Sequence, residues 1–167
     1  MERLFSPWRL AYVTGASSTP QPECIFCQAA DHAFQSDLVV ARGQTSFVIL
    51  NLFPYNSGHL MVVPNRHVAT LSALDAGERG EIMTLTALAE QAVTEVYVPH
   101  GLNVGINLGK AAGAGVADHL HVHVVPRWSG DTNFMSVVGD VRVLPEEVPV
   151  SATRLRPVFE RLMRVRT

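Results

Sequence analysis

The stretch "DHLHVHVVPRW", residues 118–128, holds three of the seven histidines of this 167-residue chain. His119, His121 and His123 alternate with Leu120 and Val122, strand-forming residues that Val124 and Val125 continue until Pro126 closes the run. Successive side chains of a strand point to opposite faces, so the three imidazoles share one face and Val122 and Val124 take the other. Such a row admits three uses. It can be a polar strand side turned to solvent. It can supply two or three ligands to a metal. It can also be an active-site row, because imidazole is the side chain that titrates near neutrality and serves as nucleophile and phosphate partner.

Two more stretches carry chemistry. "CIFC" spaces Cys24 and Cys27 so that both thiolates can reach one metal from a single turn. With no other cysteine in the chain, a zinc site would need two histidines from elsewhere, His67 and one of the row being candidates. A redox pair and two buried thiols are the rival readings. "LGKAAGAG" (108–115) brings glycines, whose backbone N–H groups can approach an anion, together with Lys110, the only lysine. It misses the phosphate-loop pattern, because the spacing is one residue short and Ala111 stands where a hydroxyl should bind magnesium. An anion-cradling turn and a plain connector both remain, and the turn leads straight into the histidines.

The chain that must position these groups is 47% hydrophobic and 17% charged with a net charge of −2, the balance of a folded domain rather than a disordered or polycationic one. Its length fits one domain over residues 1–167, with a core at 24–128 and a strand-and-helix extension at 129–167. "DLVVAR" and "SFVILN" read as a hairpin, and "GHLMVVP" as a strand ended by Pro64. From Asp75 to about Tyr97, apolar Ile82, Leu85, Ala89, Ala92 and Val96 recur at helical spacing behind an Asp75/Glu78 cap. "LNVGINLG" returns to strand, "NFMSVVGDVRVL" adds a possible further one, and 151–165 reads as helix. Arg154, Arg156, Arg161, Arg164 and Arg166 read as a solvated helix face. Strands, one long helix and more strands make an α+β domain with an antiparallel sheet. The interrupted start "MERLFSPWRLAYV" is no signal peptide, and no run reaches membrane-span length, so the expected setting is the cytoplasm, away from membranes. Two thiols and no export signal fit that reducing compartment.

The row "HLHVHVV" resembles the signature of the histidine triad family of nucleotide hydrolases and transferases. The blocks "LNLFPYNSGHLMVVPNRH" and "GLNVGINLGKAAGAGVADHLHVHVVPRW" are similar to the family's two conserved blocks, and "SPWRLAY" and "RWSGDTNF" are similar to a bacterial branch containing diadenosine tetraphosphate phosphorylases and hydrolases. The resemblance implies a five-stranded antiparallel sheet with one long helix and a C-terminal helix, two copies dimerising into a continuous sheet. It implies that His121 is the nucleophile that takes up a nucleotide and that His123 contacts the phosphate. Asn51 would bind ribose hydroxyls; Asn107, Gly113 and Gly115 would approach phosphate; His59 would support the triad by hydrogen bonding. Cys24, Cys27, His67 and His119 would hold a structural zinc, with no organic cofactor. Phe47 and Leu52 are candidates for an adenine pocket. Ala114 and Gly115 stand where relatives carry Gln or Gly followed by Ser or Thr, a departure that bears on substrate preference.

The implied activity is cleavage of a dinucleoside polyphosphate, such as diadenosine tetraphosphate, at the α-phosphate through a nucleotidyl-histidine, with phosphate or water as acceptor. A phosphoramidase acting on mononucleotides is the neighbouring reading. A metal-dependent phosphohydrolase using all three histidines would call for acidic ligands nearby. A nucleic-acid-binding zinc module would call for a basic surface with interleaved aromatics, which this composition lacks.

Overall fold

The computed structural model describes residues 24–31, 36–131 and 146–165. "SPWRLAY" and "NFMSVVGDVRVL" lie outside the described residues. Three α-helices are described: α1 (Ile25–Ala30), α2 (Ala76–Tyr97) and α3 (Val148–Arg164). Five strands, β1 (Val39–Arg42), β2 (Ser46–Leu50), β3 (Leu60–Pro64), β4 (Gly101–Ile106) and β5 (Val122–Arg127), form one antiparallel sheet in the order β1-β2-β3-β5-β4. The expected α+β architecture is present.

Alternation along the central strands sorts their side chains into two apolar layers. Val48, Leu50, Leu60, Val62, Val122 and Val124 face α2 and α3 and pack with Ile82, Leu85, Ala89, Val93, Leu155 and Phe159. On the other face Phe47, Ile49, Met61 and Val63 pack with Phe26 and Ala29 of α1. Both faces are covered, which is why β2 and β3 are buried throughout, and apolar from Phe47 to Leu50 and from Leu60 to Pro64, rather than alternating.

The long helix begins at Asp75 with a complete capping box: Glu78 N–H donates to Asp75 Oδ1 (2.8 Å), and Asp75 N–H donates to Glu78 Oε2 (2.9 Å). Arg66 pairs with the same Glu78 carboxylate at 2.6 Å and holds it down to about 2. One turn on, Glu81 reaches the β1–β2 turn, where its carboxylate accepts from Gln44 N–H (2.7 Å) and Thr45 N–H (2.6 Å). A Cβ at Gly43 would lie 2.7 Å from that carboxylate, so the turn requires glycine there.

Three expectations change. The histidine strand begins only at Val122, so His119 and His121 precede the ladder. It also runs through Pro126 to Arg127. The β3 ladder stops at Leu60↔Val124, leaving the β3 side of position 126 unpaired, where a missing N–H costs nothing. The arginines of α3 are not simply solvated. Arg154 pairs with Glu146, lies over the Tyr97 ring and donates to Val96 O, Arg156 donates to Val39 O, and Arg161 pairs with Glu95. They fasten α3 to α2 and to the sheet edge. Arg166 lies outside the described residues.

Candidate active site

The row of histidines sits on the α1 face of the sheet, and it is buried rather than turned to solvent: His119 is 0% and His121 4% exposed. His119 faces the C-x-x-C turn. Cys24 Sγ lies 3.3 Å and Cys27 Sγ 3.6 Å from His119 Nδ1, and Cys27 Sγ lies 3.2 Å from His67 Nδ1. All four donor atoms fall within 4.8 Å of one another. A tetrahedral zinc about 2.3 Å from sulfur and about 2.0 Å from nitrogen sets S···N edges of roughly 3.5 Å, and these separations match it. The other ring nitrogen of His119 is 2.9 Å from Pro64 O. A carbonyl only accepts, so Nε2 carries the proton and Nδ1 is left as the ligand, oriented from behind as metal-bound imidazoles are. The donor set therefore fits a closed zinc site. Among the described residues it is the cluster of three or more donor side chains that could hold a metal, and no carboxylate belongs to it.

The same reasoning assigns the other protons. His121 Nδ1 lies 2.9 Å from His119 O, so Nδ1–H donates and Nε2 keeps its lone pair. Burial pushes the His121 pKa below the ordinary imidazole value, against the opposing pull of that carbonyl, and the ring is neutral at pH 7. His59 Nδ1 accepts from Tyr55 N–H (3.1 Å), with Asn51 Nδ2 3.3 Å away. Its proton is therefore on Nε2, which lies 3.0 Å from His123 Nδ1 and donates to it. His123 in turn carries its proton on Nε2. Burial, reinforced by His121, lowers the His123 pKa to about 4. The His121 and His123 rings meet edge-on with centroids 4.8 Å apart. The result is a neutral nitrogen with a free lone pair beside a neutral N–H donor.

Of the other expected residues, Asn51 reaches the relay at His59. Asn51 is half-buried at the end of β2, where its Oδ1 accepts from Phe53 N–H (3.0 Å). Asn107 follows β4, one residue beyond the last ladder pair, Ile106 with Val122. Gly113 ends a single 3-10 turn (Lys110–Ala112) at φ 91°, and its N–H donates to Lys110 O at 2.9 Å. Its contribution is the left-handed turn itself. Gly115 is exposed in the bends that lead to the triad. Phe47 is fully buried against α1, whereas Leu52 is exposed. His100 is exposed beside Ser129; His32 lies outside the described residues.

Four residues escaped the sequence reading. Phe26, between the cysteines, packs its ring against His119 (5.4 Å) and His121 (5.1 Å). Tyr55 lies against His59 (4.7 Å) and His123 (6.0 Å). Asn56 and Asp131 join the turn before β3 to the end of β5. Phe26 was marked only by its place within C-x-x-C; the others carried no local signal.

The HIT domain model matches residues 33–130. The chain is 44% identical over 152 residues to the AP-4-A phosphorylase of Mycobacterium tuberculosis, covering 87% of this chain and 78% of that protein. It is 34% identical over 93 residues to the asymmetrical bis(5'-nucleosyl)-tetraphosphatase of Schizosaccharomyces pombe, covering 56% of this chain and 50% of the other. Among solved structures, a Zn-bound histidine triad family protein from Mycobacterium smegmatis superimposes with a TM-score of 0.69 at 26% identity, over 86% of this chain and 97% of that one. A sheet of this topology, a buried imidazole row with fixed protons and a match across more than half the chain place the protein in the histidine triad (HIT) family.

Proposed function

We propose that the protein cleaves dinucleoside polyphosphates such as diadenosine tetraphosphate at the α-phosphate, by way of a nucleotide bound covalently to His121. The observation that carries this reading is the hydrogen bond from His121 Nδ1–H to His119 O, which leaves Nε2 as the unprotonated nitrogen. Nε2 attacks the α-phosphorus and forms a P–N bond while the P–O bond to the remaining nucleotide breaks, releasing ATP from diadenosine tetraphosphate. The substituted imidazole keeps its Nδ1 proton and becomes cationic. The His119 carbonyl stabilises that charge, and the cationic ring is a good leaving group for the second step. His123 Nε2–H donates to a phosphoryl oxygen as negative charge builds. An acceptor then attacks phosphorus from the vacated side. Phosphate yields ADP, and water yields AMP. The similarity to the M. tuberculosis phosphorylase favours phosphate.

Asn51 would hold the ribose hydroxyls and Asn107 a phosphate oxygen, with the glycine turn at 109–115 bounding the phosphate side. Cys24, Cys27, His67 and His119 would hold a zinc ion that supplies a structural tie between α1 and the triad. Two copies would pair along β4, an edge strand whose Asn103, Val104 and Gly105 are exposed; sedimentation giving only a monomer at micromolar concentration counts against this. No described helix is long and apolar enough to cross a membrane, in keeping with a cytoplasmic enzyme.

The test incubates the protein with diadenosine tetraphosphate, with and without phosphate. ADP and ATP formed only with phosphate establish phosphorolysis; AMP and ATP in plain buffer establish hydrolysis. Protein quenched in alkaline denaturant should carry a nucleotide mass on His121, and His121→Ala should carry none. Full turnover by His121→Ala would refute the reading.

A further inference from the structure

The turn between β2 and β3 (residues 51–59) delivers Asn51, Tyr55 and His59 to the site; Asn51 N–H donates to His59 O (3.0 Å) across its base, and a side-chain clamp fixes it from outside. The turn closes on a backbone bond from His59 N–H to Asn56 O (3.2 Å). Gly58 takes φ 77° within it, and a Cβ at that position would lie 2.5 Å from the Tyr97 ring. The Asn56 side chain leaves the turn and crosses to the end of β5. Its Nδ2 donates to Pro126 O (2.8 Å) and to Asp131 Oδ2 (2.9 Å). The Asp131 carboxylate is itself fixed by Arg127 Nε (2.6 Å) and Nη2 (2.9 Å) and by Trp128 N–H (3.2 Å). Arg127 is held on its other side by Asn103 Oδ1 (2.7 Å) of β4.

Asn56 Nδ2 and both Asp131 oxygens have directional partners in this clamp, and it grips the turn one residue from Tyr55. The Tyr55 N–H decides which nitrogen of His59 is protonated, and His59 decides which nitrogen of His123 is protonated. A turn that drifts by an ångström breaks the first of these bonds and frees both tautomers. We infer that Asn56 and Asp131 are positioning residues for nucleotidyl transfer, holding the 51–59 turn so that the imidazole relay keeps the His123 proton on Nε2. The inference rests on the function proposed above, in which His123 donates to the phosphoryl group. Neither residue touches substrate.

The experiment uses the full chain with Asn56→Ala, Asp131→Ala and the conservative Asp131→Asn, and Arg161→Ala as a distant control. Three quantities are read: the single-turnover rate of nucleotide transfer to His121 from diadenosine tetraphosphate, the affinity for AMP, and the protonated nitrogen of His123 by 15N NMR. In Asn56→Ala and Asp131→Ala the transfer rate should fall roughly two- to fivefold, the most that loss of the His123 tautomer bias can remove, with AMP affinity unchanged, since the proton on His123 Nε2 matters to the transfer step rather than to ground-state binding. His123 should show a mixture of tautomers. Asp131→Asn keeps an oxygen for Asn56 and should regain most of the rate. If Asp131→Ala does not fold, Asn56→Ala decides alone. A full transfer rate in Asn56→Ala with the His123 proton still wholly on Nε2 overturns the inference, as does a loss of thermal stability with both unchanged. Should the parent form no nucleotidyl-His121, the proposed function fails instead, while the His123 spectrum still tests the clamp.

Discussion

Replacing His59 with Phe should slow nucleotide transfer by an amount that the hydrogen-bond chain fixes in advance. Phe preserves the fully buried ring volume and removes both nitrogens. What His123 loses is one donor, the His59 Nε2–H 3.0 Å from its Nδ1. A hydrogen bond of this kind has a net worth of about 1 kcal/mol. That corresponds to a factor of roughly five in the ratio of the two His123 tautomers. Once the bias is gone, a sizeable share of molecules carries the proton on the wrong nitrogen, and the observed rate scales with the competent fraction. The expected loss is therefore about two- to fivefold, since the competent fraction cannot change by more than the tautomer ratio does, whereas His123→Ala removes the donor itself and should cost about 100- to 1,000-fold. Rapid-quench measurement of nucleotide bound to protein, under single-turnover conditions near pH 7.5, separates the two. If His59→Phe is as damaging as His123→Ala, His59 contacts the reacting phosphate and the relay is wrong. If it is harmless while NMR shows His123 redistributed, proton placement on His123 does not govern the step.

Removing metal with a strong chelator should lower the melting temperature by about 8–16 °C, because a site saturated about 1,000-fold over its dissociation constant adds ~4 kcal/mol and each kcal/mol moves a domain of this size by about 2–4 °C; elemental analysis finding no zinc, with melting unmoved, would sink the tether. Stability should fall as pH drops from 6.5 towards 4, since the unfolded chain binds a proton on His123 that the folded chain refuses until about pH 4. His123→Asn should flatten part of that slope in denaturant titrations at several pH values, and an unchanged slope would show that His123 is not among its sources. Phe159→Ala removes a fully buried ring from the α2–α3 side of the sheet and should cost about 3–5 kcal/mol, yet leave transfer at low temperature near the parent rate because the histidines lie on the opposite face; a specific loss of rate in folded protein would contradict that separation.

What could be read from the sequence followed from periodicity and from ligand spacing. The helix of Ala76–Tyr97 was visible because Ile82, Leu85, Ala89 and Ala92 repeat at helical intervals behind Asp75 and Glu78, and both signals are local. The joining of Cys24 and Cys27 to His67 and His119, across 40 and more residues, was not local; it entered through the family resemblance, and the donor geometry agrees with it. Pro126 misled because a proline ordinarily stops a central strand, and only the early end of β3 shows why this one does not. The arginines of α3 misled for a related reason, since their partners Glu95, Tyr97 and Val39 belong to distant elements. Asn56 and Asp131 are of residue types common in turns, 75 positions apart, so nothing in the chain's order announces their bond.

Three identical side chains within five residues end up chemically distinct because each meets a different fixed partner. Pro64 O takes the Nε2 proton of His119 and leaves Nδ1 towards the thiolates. The carbonyl of that same His119 accepts from Nδ1–H of His121 and leaves Nε2 unprotonated. A third ring, His59, hands its proton to Nδ1 of His123 and so keeps that residue a donor at Nε2. His119 thus meets the cysteines through its ring and His121 through its backbone. A shift of that residue reaches both at once, so damage at Cys24 or Cys27 should register at His121 even though neither thiol is in the imidazole relay. The alternating spacing places the row on one face, since residues two apart on an extended segment share a face, and at His119 the backbone carbonyl also reaches the next ring.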